Sequence, residues 1–115
     1  MARQLELAGR SFGYEDEKID YLKPAKSAKY NPDFILTKKN GEKMYIESKG
    51  RFLTADRQKH LLIRDQSPHL DIRLVFQRAK NTISKTSTTT YGKWATDKGF
   101  LWSDNGRIPP EWLDE

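Results

Sequence analysis

Three side chains in this 115-residue chain stand at a spacing that suits phosphodiester chemistry: Asp33, Glu47 and Lys49. Pro32-Asp33 opens the apolar run Phe34-Ile35-Leu36, and Glu47-Ser48-Lys49 closes a second run, Met44-Tyr45-Ile46. Side chains alternate along a strand, so Glu47 and Lys49 share one face and Ser48 points away. An acid and a base placed so are ordinarily only a salt bridge. A second carboxylate on that face changes the chemistry. If Asp33 reaches it, two carboxylates beside an ammonium make a hard-oxygen site for Mg²⁺, with Lys49 placed to orient or deprotonate a water. That is a layout for in-line attack on a phosphodiester.

Hairpin register decides whether Asp33 can reach. The two apolar runs flank Lys38-Lys39-Asn40-Gly41, a β-hairpin signal. A two-residue loop at Asn40-Gly41 would set Asp33 opposite Ser48, on the wrong face. A three-residue loop, Lys39-Asn40-Gly41, makes paired residue numbers sum to 80 and sets Asp33 opposite Glu47. Gly41 would then supply the left-handed residue of a G1 bulge. The site therefore requires the odd loop.

The remaining elements must hold this hairpin in place. Residues 2–8 are good helix formers stopped by Gly9, and Phe12 to Leu22 is strand-like around a solvated Glu15-Asp16-Glu17 run. Lys23 to Lys29 reads as a polar connector, with 23–32 as a possible hinge. A helix is expected from Thr54, as N-cap, to about Gln66, with Asp56 suited to its positive end. Ile72 to Phe76 reads as a strand and Lys80 to Thr89 as a Lys/Ser/Thr loop. A last helix from about Thr89 to Lys98 puts Tyr91, Trp94 and Ala95 on one face, and Pro109-Pro110 opens a short helical turn. The order implies one mixed α/β domain over residues 1–115, a small sheet flanked by helices.

Composition narrows the class. The chain is 36% hydrophobic and 32% charged, with 5 Phe, 5 Tyr and 3 Trp, which excludes a disordered acidic chain. No apolar run approaches the ~18 residues of a membrane span. With 0 Cys, thiol nucleophiles, disulfides and thiolate zinc sites are excluded. The net charge of +5 is uneven: residues 23–86 hold 15 basic and 6 acidic residues, a balance of +9, and the remainder balances at −4. The positive charge surrounds the two-carboxylate motif, as an anionic partner would need.

Pro-Asp, an apolar run and Glu-x-Lys form the pattern of the PD-(D/E)xK nuclease superfamily. The surrounding text is more specific. Tyr30-Asn31-Pro32-Asp33-Phe34-Ile35-Leu36, Glu47-Ser48-Lys49-Gly50, the run from Asp56 to Gln66, and Leu70 to Phe76 resemble the phage endonuclease I family. That family resolves four-way (Holliday) DNA junctions. Thr90-Tyr91-Gly92, Ile108-Pro109-Pro110-Glu111-Trp112 and Arg3-Gln4-Leu5-Glu6 extend the resemblance over nearly the whole chain.

The resemblance implies a restriction-endonuclease-like core and an intertwined, domain-swapped homodimer bridged through the region of Lys23 to Pro32. It implies Mg²⁺ or Mn²⁺, with Asp33, Glu47 and the Ser48 backbone carbonyl as ligands, and Lys49 as the group that positions water or stabilises the transition state. It also implies a phage-encoded protein acting on branched DNA in the host cytoplasm. The family carries a further catalytic Glu that would fall ahead of Met1, and Glu6 does not replace it. Two alternative readings are a site-directed nicking or homing-type endonuclease on the same core, and a non-cleaving branched-DNA binding module.

A phosphodiester enzyme must also offset backbone charge. Arg51, Arg57, Lys59 and Arg64, along or just before the central helix, and Lys26, Lys29 and Lys85 are the expected DNA contacts; Arg78 and Lys80 invite the same reading. His60 is expected to be a satisfied core or surface residue, and His69 has no assigned role.

Overall fold

The computed structural model describes residues 12–14, 18–23 and 26–115. The helix expected over 2–8 and the acidic run at 15–17 lie outside them. Among the described residues seven strands and three helices follow one another: β1 (Phe12–Tyr14), β2 (Ile19–Lys23), β3 (Lys26–Tyr30), β4 (Phe34–Thr37), β5 (Lys43–Lys49), α1 (Thr54–Gln66), β6 (Asp71–Phe76), α2 (Tyr91–Asp97), β7 (Leu101–Ser103) and α3 (Pro110–Leu113). The main sheet runs β1-β4-β5-β6-β7, and β2-β3 form a separate antiparallel pair. β4 is antiparallel to β1 and β5, whereas β5, β6 and β7 run parallel, so the sheet is mixed.

The hairpin has the odd loop. Phe34 pairs with Ile46 and Thr37 with Lys43, so the paired numbers sum to 80. Lys38 N–H donates to Glu42 O at 2.7 Å and Gly41 N–H to Lys38 O at 2.9 Å. Gly41 sits at φ 89°, the left-handed geometry of the bulge, where a side chain would be strained. Extended by one residue, this register sets position 33 opposite position 47.

Strand alternation then divides the core between the two faces of the sheet. Phe34, Leu36, Met44, Ile46 and Val75 pack with Ile108 and Trp112, under α3. On the other face Ile35, Tyr45 and Ile72 join Tyr21, Tyr30 and Ile63. Leu74 and Phe76 meet Phe52, Tyr91, Trp94, Ala95 and Phe100, beneath α2. A sheet covered on both faces explains why β4 to β6 read as near-continuous apolar runs. Asp33, Glu47 and Lys49 share the parity of Ile35 and Tyr45, and so lie on the α1 side.

Three local expectations change. The connector read at Lys23 to Lys29 is largely strand, since Lys26–Tyr30 pair with Ile19–Lys23. The N-cap of α1 is Leu53, not Thr54; the Asp56 carboxylate accepts from Leu53 N–H at 3.1 Å and does the capping in its place. Leu101–Ser103, unread from sequence, is an edge strand of 3 residues, too short for a period to show.

Candidate active site

The site lies where β5 ends, at the carboxyl-terminal edge of the parallel strands, a common ligand position in α/β sheets. Asp33 is half-buried, and its Oδ2 accepts the Ser48 N–H at 2.9 Å. This bond locks the mouth of the hairpin and holds the Asp33 carboxylate against the Glu47-Ser48-Lys49 segment. Glu47 is buried at 6% exposure, the deepest acid among the described residues. Its Oε2 accepts from the Tyr30 hydroxyl at 3.1 Å, and its Oε1 lies 3.3 Å from Lys49 Nζ. Lys49 Nζ also donates to Asp56 Oδ1 at 3.1 Å, so one ammonium bridges a strand carboxylate and a helix carboxylate.

The electrostatics follow from this crowding. Burial, and then the negative charge of Asp33, push the Glu47 carboxyl above its ordinary pKa; Lys49 and the Tyr30 hydroxyl pull it back only in part. Burial works against the charge of Lys49, yet Glu47 and Asp56 outweigh it and raise the ammonium's pKa. Burial likewise opposes the Asp56 carboxylate, but Lys49 and the Leu53 N–H hold it below its ordinary value. Burial, then the Glu47 carboxylate, keeps the Tyr30 phenol protonated far above its usual range. The result is a lysine whose protonated form is favoured beside a carboxylate whose negative charge is only partly offset.

Two of these residues were not singled out for the site by sequence. Tyr30 lies three positions before Asp33 and was read only as part of the motif that carries the resemblance. Asp56 looked like a helix-dipole residue, and its 3-position offset from the Leu53 cap is the one local sign that its carboxylate has a fixed place. His60 corrects the expectation of a satisfied or exposed histidine. It is fully buried, and neither ring nitrogen has a hydrogen-bond partner. Its ring meets the edge of Tyr30 at 5.5 Å and lies 6.4 Å from Phe52 and 6.3 Å from Phe100.

The expected DNA contacts divide into two groups. Arg51 and Lys85 are exposed. Lys59, half-buried, holds Nζ 5.2 Å from the Tyr30 ring centre, close enough for its charge to reach Glu47. Arg57 does not lie on a solvated helix face. It is buried, and its guanidinium donates to Phe52 O at 2.6 Å, Thr54 Oγ1 at 2.9 Å and Ile83 O at 3.4 Å. Arg57 thus ties α1 to the 80–90 loop. Arg64 lies over Phe100 at 4.8 Å, and Lys29 pairs with Asp20 at 2.8 Å. Nothing is described of the Lys26 side chain.

Fold and site together define a mixed α/β protein with two converging carboxylates and a charged lysine at the end of a parallel strand. The chain matches phage endonuclease I over residues 1–115 and belongs to that family. It is 43% identical over 115 residues to Endonuclease I of Escherichia phage T7, covering 100% of this chain and 74% of that protein. It is 45% identical over 104 residues to Endodeoxyribonuclease 1 of Enterobacteria phage T3, covering 90% of this chain and 66% of that one. Among the described residues no helix is long and apolar enough to cross a membrane.

Proposed function

We propose that this chain is a metal-dependent DNA endonuclease with the PD-(D/E)xK arrangement, selective for branched DNA such as four-way junctions and acting as a homodimer. The observation that carries the reading is the convergence of Asp33, Glu47 and Lys49, fixed by the odd hairpin loop and the Asp33–Ser48 bond. Family membership supports the nuclease chemistry; junction selectivity, metal and dimer come from the resemblance.

The donor set fits a hard divalent cation. Two carboxylates share a face, and the buried one is held where extra positive charge would be stabilising. Asp33, Glu47 and the Ser48 carbonyl would hold Mg²⁺ or Mn²⁺. When bound, the ion supplies Lewis acidity toward the phosphate and lowers the pKa of a water. Lys49 is clamped between Glu47 and Asp56 and stays charged, so it orients the attacking water and stabilises the developing phosphorane charge rather than acting as the base. Tyr30 and the Asp33–Ser48 bond orient the carboxylates.

The test compares cleavage of a four-way junction and a linear duplex, with Mg²⁺ and with Mn²⁺, for the chain and for Asp33→Ala. Junction cleavage lost in the variant is the expected outcome. Equal activity of the variant would refute the assignment, and tight junction binding without product under both metals would replace the endonuclease with a binding module. Sedimentation as a monomer at micromolar concentration would remove the dimer.

A further inference from the structure

We propose that a notch lined by Gln77, Arg78, Lys80, Asn81, Asp104 and Asn105 is a phosphate-binding subsite that seats the DNA backbone beside the cutting position. The inference rests on the endonuclease reading and adds where the flanking strand lies.

Sheet topology puts the notch on the same edge as the site. β5, β6 and β7 run parallel, with Lys49 level with Phe76 and Val75 level with Ser103. Gln77 N–H donates to Lys49 O at 3.0 Å, so the first residue of the notch is bonded to the last residue of the catalytic strand. The notch opens where β6 and β7 end, about two strand spacings, ~10 Å, from Lys49. A backbone phosphate close along the strand to the one being cut would fall within its reach.

The notch is built rather than incidental. Gly106 N–H donates to Phe76 O at 2.9 Å, drawing the turn after β7 onto the end of β6. Gly106 sits at φ 64°, and a β-carbon there would lie 2.7 Å from the Gln77 side chain. The Asp104 carboxylate accepts from Ala79 N–H and Asn105 N–H, both at 2.8 Å, so it is engaged in closing the loop. Arg78 and Lys80 are exposed and make no ion pair among the described residues, with Lys80 near enough to Asp104 for its charge to act on that carboxylate. Their forked and point donors, with the amides of Gln77, Asn81 and Asn105 around a space of about 360 Å³, suit phosphate oxygens and sugar edges.

The test is the salt dependence of binding to a fluorescein-labelled four-way junction, followed by anisotropy in EDTA from 50 to 200 mM KCl (on the order of the range in which counterion release is read). Arg78→Gln with Lys80→Gln is compared with Lys39→Gln plus Lys98→Gln, which removes two exposed charges at the opposite end of the sheet. Two lost phosphate contacts are expected to shrink the slope of log K against log salt by ~1.8, with weaker binding at every salt. The charge-preserving pair Arg78→Lys and Lys80→Arg is expected to keep the slope, which separates lost contacts from a damaged loop. A slope equal to wild type, or a drop matched by the Lys39/Lys98 pair, overturns the subsite and leaves the endonuclease reading standing. A wild-type chain that neither binds nor cleaves the junction overturns both.

Discussion

Replacing His60 with leucine is expected to stabilise the fold, and to stabilise it more as the solution is acidified. The imidazole is fully buried with both nitrogens unpartnered, and an unsatisfied buried polar group costs about 1–3 kcal/mol. Leucine removes that cost but forfeits the ring edge against Tyr30, leaving a gain of about 1 kcal/mol at neutral pH. The acid dependence is larger. Burial, reinforced by Lys49 and Lys59, lowers the imidazole pKa to about 3, against about 6.5 unfolded. With the folded value depressed, the native state is favoured fully above pH ~6.5, and the advantage drains away as pH falls toward 3. Each pH unit in that window costs about 1.4 kcal/mol, so about 2 kcal/mol is gone by pH ~5. The leucine variant escapes this term. Urea midpoints of both proteins at pH ~7.5, ~6 and ~5 measure it, because the depressed carboxylates of Asp71 and Glu115 are common to both and cancel in the difference. A difference that stays constant with pH would show that the folded protein protonates His60 as readily as the unfolded chain, and the account of a sealed imidazole would be wrong.

Other perturbations probe the site and its supports. Glu47→Gln removes a buried carboxylate whose charged form is disfavoured by burial and by Asp33, so it is expected to abolish DNA cleavage while leaving Tm equal or raised; a marked fall in Tm would mean that Lys49 and Tyr30 outweigh that burial. Gly92→Ala places a methyl 2.7 Å from the Trp102 ring in the first turn of α2, and a destabilisation of about 1–3 kcal/mol by thermal unfolding is expected. Arg73→Met leaves Glu115 without its two guanidinium bonds and Asp71 with Lys38 alone, at an expected cost of about 3 kcal/mol read from urea midpoints.

What sequence could place was whatever obeys a short period. The β4–β5 hairpin, its three-residue loop and the common face of Glu47 and Lys49 follow from alternation and one glycine, and the structure has that register. α1 spans Thr54–Gln66, the expected range, because its apolar spacing and the Ser67-Pro68 stop are local. The misread parts are those settled by distant partners. Arg57 carries the same helix-surface chemistry as Lys59, yet it folds back on Phe52 O and Thr54 Oγ1 and is covered from the far side by Ile83, 26 residues away, which no local period signals. β7 exists because β6 offers an open edge, not because Leu101-Trp102-Ser103 demands a strand.

The same division runs through the site. The residues with reactive groups come from one hairpin, but the residues that set their charge states come from elsewhere: Tyr30 from β3, and Asp56, Lys59 and His60 from α1. Lys49 shows the consequence. On β5 alone it would be an ordinary lysine beside Glu47, free to swing. The third residue of α1 supplies the second carboxylate, and that carboxylate is itself pinned by Leu53 N–H. Shifting the start of α1 by one residue would rotate Asp56 by roughly 100° about the helix axis and leave Lys49 with a single partner. The position of the ammonium is therefore fixed by where a helix begins, and the helix begins where an aspartate, not the neighbouring threonine, caps it.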